Sequence, residues 1–144
     1  MERQKLDTSR NLSLVLLGML ITAAYAHATW SIIAVNRATG EIGIAGASCT
    51  THVSGIGEIV PGKGVVVVQA MSNGEARKLG VKLLQEGATP AQVIEAMRNE
   101  RFDPENQQYG VIVLAADQSP ATYSGKRITE WNGVMTGDGM ERRL

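Results

Sequence analysis

The chain has 144 residues, a length that fits one domain, and its 14 basic side chains balance 14 acidic ones. That balance gives no reason to expect a nucleic-acid partner or attraction to an anionic membrane. The one cysteine, Cys49, excludes an internal disulfide, so stability must come from packing.

Residues 1–28 are a different material from the rest. Arg3, Lys5 and Arg10 precede the apolar run "LSLVLLGMLITAAYA", about fifteen residues long, and "AHA" then supplies the small residues that a signal peptidase reads. This pattern predicts a secretory signal cleaved after Ala28, export to the periplasm or the exterior, and a mature domain over residues 29–144. The competing pattern is an uncleaved anchor, but a spanning helix wants roughly twenty apolar residues. Only through such a leader would the chain meet a membrane.

From Thr29 the pattern is β-rich. "TWSIIAVNR" and "EIGIAGAS" are β-branched runs joined by "ATGE", where Gly40 accepts a positive φ, and together they predict an antiparallel hairpin. Cys49, just beyond it, reads as a small buried apolar residue at a strand end. "CTTHVSGIGEIVPGKG" is a polar, glycine-rich connection with a short "EIV" inside it. "VVVVQAM" reads as a strand covered on both faces, and residues 65–70 are expected in the same sheet as the hairpin.

Helical spacing begins after "SN". Ala76, Leu79, Leu83 and Leu84 fall on one face, with Ser72 or Asn73 as N-cap and Gly87 as the stop. Thr89 and Pro90 open a second helix whose Val93, Ile94 and Met97 face inward. On this reading Leu83→Ala should cost about 2–5 kcal/mol. "RFDPENQQ" is a loop, "YGVIVLAAD" and "PATYSG" form another strand pair, and "ITEWNG" starts a turn or strand. Strands flanking a helical pair predict a layered α+β domain with helices on one sheet face.

Cleavage after Ala28 would leave Thr29 with a hydroxyl and a free α-amine on one residue. Such an amine has a pKa of roughly 7.7 to 8.0. It can take the hydroxyl proton, which makes nucleophile and base a single residue. A linker before Thr29 would acylate the amine and remove the base. The plain alternative is that peptidases favour small residues at new termini.

The segments "TWSIIAVNRATGEIGIAGASC", "GEIVPGKGVVVVQAMSN", "GVKLLQEGATPAQVIEAM", "QYGVIVL" and "ATYSGKRITEWNGVMTG" resemble, in that order, the domain-of-unknown-function family 1028 from Thr29 to about Gly139. The resemblance implies the N-terminal-nucleophile hydrolase superfamily, an αββα sandwich and amide-bond hydrolysis, and it names no substrate. It implies Thr29 as nucleophile, with backbone amides around Ser72 to Gly74, or the Asn73 side chain, stabilising the oxyanion. The acid and lysine of proteasome-like relatives are not matched. "GIAGAS" offers Ala47 and Ser48 instead, and Lys63 in "PGKG" reads as a solvated turn. Ser48, Cys49, His52, Glu58 and Gln69 are the remaining candidates around the pocket, with Cys49 or Ser48 as the nucleophile to test should Thr29 fail.

No residues have metal-ligand spacing and no glycine loop has the Walker or Rossmann pattern, so neither metal nor cofactor is expected. The expected function is an exported hydrolase of a small amide or peptide-like substrate. The alternatives are a non-catalytic binding or assembly module, at the cell wall for instance, and an inactive copy; a homo-oligomer is left open. The family pattern continues past "MTGDG" with a strand and further helices, whereas "MERRL" reads as the polar stub of a truncated copy. An incomplete sandwich of that kind would expose an apolar sheet face.

Overall fold

The computed structural model describes residues 29–128, 132–137 and 140–143. The predicted leader, residues 1–28, lies outside the described residues, as does the middle of "ITEWNG".

Strands β1 (Thr29–Asn36) and β2 (Glu41–Ser48) form the expected hairpin, with Thr29 opposite Ser48 and Asn36 opposite Glu41. Gly40 has φ of 78° in the turn, and the Asn36 carboxamide oxygen accepts the Ala38 N–H at 3.1 Å. The next strands are β3 (Gly57–Val60), β4 (Gly64–Ala70), β5 (Gln107–Val113) and β6 (Ala121–Ser124). The last are β7 (Val134–Gly137) and β8 (Met140–Arg143). They build two four-stranded sheets, ordered β2-β1-β8-β7 and β3-β4-β5-β6, with antiparallel neighbours throughout.

Residues 65–70 therefore do not share a sheet with the hairpin. The two-faced burial of β4 has another origin. Val65 and Val67, with Ile112, pack against Ile33 and Val35 of the first sheet. Val66 and Val68, with Tyr109 and Val111, pack against the helices. A strand covered on both sides can gain that cover from a second sheet as well as from helices, and the apolar run alone does not say which. "MERR", read as a stub, is also a strand. It lies beside β1, with Ala34 opposite Met140 and Ser31 opposite Arg143. Backbone pairing here recruits a segment whose composition gave no strand signal.

Helices α1 (Gly74–Gln85) and α2 (Pro90–Met97) cover the outer face of the second sheet. Asn73 is the N-cap of α1, its side-chain oxygen accepting the N–H groups of Glu75 and Ala76 at 2.9 and 3.1 Å. Thr89 caps α2 in a reciprocal box with Gln92. Val93, Ile94 and Met97 are buried as expected. The buried line of α1 is Ala76, Gly80, Val81 and Leu84, while Leu79 and Leu83 are only half-buried. Gly80 rotates the face. A Cβ there would lie 2.7 Å from Met97 Sδ and 3.0 Å from Val66 Cγ1, so the missing side chain lets α1 approach α2 and β4. A glycine adds nothing to an apolar count, which is why leucine spacing misplaced the contact.

The "RFDPENQQ" segment contains two 3-10 turns, Glu100–Phe102 and Pro104–Asn106, before entering β5. Tyr109 on β5 is fully buried with its ring 5.6 Å from that of Tyr123, and its hydroxyl has no hydrogen-bond partner among the described residues. Burial, aided by the neighbouring Tyr123 and Asp103 groups, pushes this hydroxyl up to about 12. An unfolded chain ionises tyrosine near 10. The associated stability is thus present below about pH 10 and is lost as pH rises through about 12. Tyr109→Phe should remove that alkaline dependence and be neutral to stabilising by up to about 1 kcal/mol at pH 7. Urea titrations at pH 7 and above pH 10 would check it; a loss exceeding about 1 kcal/mol at pH 7 would mean that the hydroxyl has a partner.

Candidate functional site

Alternation along β1 aims Thr29, Ser31, Ile33 and Val35 between the sheets. The far end of this interface is apolar, through Ile33, Val35, Val65, Val67 and Ile112. Its Thr29 end is polar. Thr29 Oγ1 lies 2.9 Å from Ser48 Oγ across the hairpin. Ser48 Oγ in turn accepts the Thr50 N–H at 3.3 Å and the Thr50 hydroxyl at 3.2 Å. Behind Thr29, the Gln69 amide nitrogen donates to the Thr29 carbonyl at 3.3 Å and to Gln108 Oε1 at 2.9 Å. Gln69 Oε1 accepts the Ser31 hydroxyl at 2.7 Å, and Gln108 Nε2 donates to Ser124 Oγ at 3.2 Å. Ser31, Gln69 and Gln108 are all buried. Buried carboxamides are costly unless bonded, and these are bonded. Among the described residues, no charged side chain bonds to Thr29, Ser31, Ser48, Gln69 or Gln108.

β4 ends one residue past Gln69, at Ala70, which still pairs with Gln107. Ala70 has φ of 68°, in the left-handed region that a Cβ disfavours. Such outliers cost on the order of 1–3 kcal/mol and tend to mark functional turns. Met71, 73% exposed, follows it, and its N–H is tied to the Asn106 carbonyl at 3.2 Å. This is the strand-to-helix turn on which an oxyanion stabiliser was expected.

The structure brings Thr29, Ser48 and Gln69 together and spreads the other candidates. Ser72 donates its hydroxyl to the Val68 carbonyl at 2.7 Å. The Asn73 side-chain oxygen caps α1, Nδ2 donates to the Phe102 carbonyl at 3.2 Å, and the N–H is accepted by Gln107 Oε1 at 3.1 Å. Asn73 thus serves as a helix cap facing away from the sheet interface. Cys49, expected to be buried, is exposed, because β2 ends at Ser48 and the next residue already belongs to the surface connection. His52 is exposed, and its carbonyl accepts the Thr50 hydroxyl at 3.0 Å. Glu58 stands opposite Val66 on the helix-facing side, 3.9 Å from Arg77. Lys63 is exposed in the turn before β4, at the opposite end of that strand from Gln69.

Sequence reasoning missed Ser31, Thr50, Gln108 and Ser124. The available signal was a polar residue at an inward position of an apolar alternation: Ser31 before Ile33, and Gln108 before Ile112. A groove of about 500 Å³ lies on the helical side, lined by Asn73, Glu75, Lys78, Leu79, Lys82, Arg101 and Phe102. Of the candidates it touches Asn73 alone, and its open, charged walls lack the hydroxyl cluster. Among the described residues no group of histidine, cysteine or carboxylate side chains is arranged to hold a metal ion.

Two facing antiparallel sheets with a helical pair on one side define a layered α+β domain whose polar site sits at the start of the first strand. The chain belongs to the family of unknown function DUF1028, whose model matches residues 29–141. It is similar to a crystal structure of a protein from Silicibacter pomeroyi assigned to the same family, with a TM-score of 0.72 and 20% sequence identity. The likeness covers 80% of this chain and 51% of that protein, so this chain spans about half the length of that relative. The superposition establishes a shared fold. No match is found among curated proteins.

Proposed function

We propose that the chain is an exported amide hydrolase of the N-terminal-nucleophile type, acting through Thr29 once residues 1–28 are removed. The observation that carries this reading is Thr29 Oγ1 held 2.9 Å from Ser48 Oγ, on a residue whose own carbonyl is anchored by buried Gln69. The start of the family match at residue 29 supports it. The hydrogen-bonding neighbours of Thr29 are a hydroxyl and a carboxamide, neither of which is a base near neutral pH. The proton of Oγ1 must then pass to the α-amine of the same residue, directly or through a water.

Attack by Oγ1 forms the new C–O bond and the tetrahedral oxyanion. The C–N bond then breaks, and the proton held by the α-amine goes to the departing nitrogen. Water hydrolyses the resulting ester by the same base and returns Thr29 to its free state. We assign oxyanion stabilisation to backbone N–H groups of the turn that begins at Ala70, one residue past Gln69. The substrate class is a small amide or peptide-like molecule.

The mature N-terminus tests the first requirement. Intact-mass measurement of the exported protein should give a chain beginning with Thr29 and carrying a free amine; leader residues retained on the secreted product would overturn the reading. A non-catalytic assembly role is the second reading, favoured by Trp30 at 40% and Met135 at 55% exposure in the first sheet. A stable oligomer in sedimentation, together with an unreactive Thr29, would select it.

A further inference from the structure

We infer that Gln69 is a positioning residue for Thr29, orienting the terminal residue through a one-way chain of neutral side chains; this rests on the nucleophile reading above. Several features of the chain are hard to explain by stability alone. Val65 to Val68, the residues before Gln69 on β4, are wholly apolar and completely buried, as is Gln69 itself. The sheets already meet through Ile33, Val35, Val65, Val67 and Ile112. An apolar side chain at 69 would extend that packing without any hydrogen-bond requirement. The carboxamide instead creates one, and the groups that meet it belong to β1 and β5, with Ser124 of β6 bonded to Gln108 in turn. A buried polar network of this kind fixes geometry because each member constrains the next.

The direction of the chain is set by its ends. The Thr29 carbonyl can only accept, so the nitrogen of the Gln69 carboxamide must face it. The second hydrogen of that nitrogen goes to Gln108 Oε1, which leaves the Gln108 nitrogen toward Ser124. Gln69 Oε1 is then free to receive the Ser31 hydroxyl. No member can flip without placing two acceptors or two donors face to face. Holding the Thr29 carbonyl fixes ψ of that residue. The hairpin pairing to Ser48 then leaves Oγ1 and the α-amine little freedom relative to each other.

Neutrality matters as much as orientation. A carboxylate at this position would favour the protonated amine and weaken the base. A carboxamide orients the residue without adding charge.

The test is covalent labelling of the exported, processed protein by a simple β-lactone, followed by intact mass and peptide mapping. Oγ1 attacks the lactone carbonyl, the ring C–O bond opens, and the proton ends on the released alkoxide, so the protein gains the whole lactone mass. Gln69→Glu is nearly isosteric but faces the Thr29 carbonyl and Gln108 Oε1 with acceptors; Gln69→Met removes the donors. Both should slow the saturated labelling rate about tenfold or more, with the half-saturating concentration unchanged. Ser31→Ala, a milder lesion that leaves the Thr29 contact in place, should slow it about threefold. Leu84→Ala, destabilised on the far side of the second sheet, should label at the parent rate, which a purely structural role for Gln69 would not permit.

The outcomes separate cleanly. A parent protein that does not label, or labels equally as Thr29→Ala, overturns the nucleophile reading and this proposal with it. Labelling lost in Thr29→Ala but kept at the parent rate in folded Gln69→Met and Ser31→Ala overturns this proposal alone. Should both Gln69 variants fail to fold, Ser31→Ala decides: parent-rate labelling there overturns the proposal.

Discussion

Thr29→Ala is expected to abolish turnover of any amide the exported protein hydrolyses, with a loss on the order of ten-thousand-fold. Removing a nucleophile removes the covalent route altogether, so the residual rate reflects only binding and oxyanion stabilisation. One added residue before Thr29 should be as damaging, because an acylated amine is no longer a base. Thr29→Ser keeps both groups and should retain measurable activity. The rate for the parent protein should rise with pH through roughly 7.7 to 8.0, as the terminal ammonium loses its proton. The decisive comparison is initial rates for blocked and free N-termini at matched circular dichroism. Equal rates would reduce Thr29 to a by-product of processing and make Ser48 or Cys49 the nucleophile to test.

The second large effect concerns stability. Leu84→Ala should cost about 2–5 kcal/mol, because the side chain is 1% exposed within the cluster formed by both helices and the second sheet. Leu83 lies one position away and is only half-buried, so Leu83→Ala should cost visibly less. Urea midpoints for the two variants, compared at equal m, would check the order. A reversed order would mean that α1 is rotated about its axis from the orientation described above.

That pair of leucines marks what the sequence could and could not reveal. Local chemistry was legible: Gly40 in its turn, Asn73 and Thr89 as caps, and the burial of β4. Each of these depends on residues within a few positions of one another. Most of the failures were non-local. Gly80 sets the depth of α1 through what it lacks, and only its neighbours Met97, Val66 and Val93 reveal it. The assignment of β4 to a second sheet depends on what lies opposite Val65 and Val67, which no period encodes. At the candidate site, the sequence points to Thr29, Ser48 and Gln69, which the structure brings together. Ser31, Gln108 and Ser124 were missed because a polar residue in a strand acquires meaning only from its partner in another strand. Cys49 misled because small apolar character predicts burial only inside an element, and it stands just outside β2.

The two sheets also differ in how the chain can assemble them. In the second sheet every neighbour is the next strand in sequence, so pairing can advance step by step as the chain becomes available. In the first, β1 pairs early with β2 but waits on its other side for β8, from the far end of the described chain. Closing so long a loop is slow, and it gains little from local turns. The β1–β2 hairpin therefore spends the early part of folding with one edge unpaired, and the residue proposed to carry the chemistry lies on that edge strand. Late docking of β8 would make completion of the first sheet a late event, so amide protons at the β1–β8 seam should gain protection after those of β4 and β5.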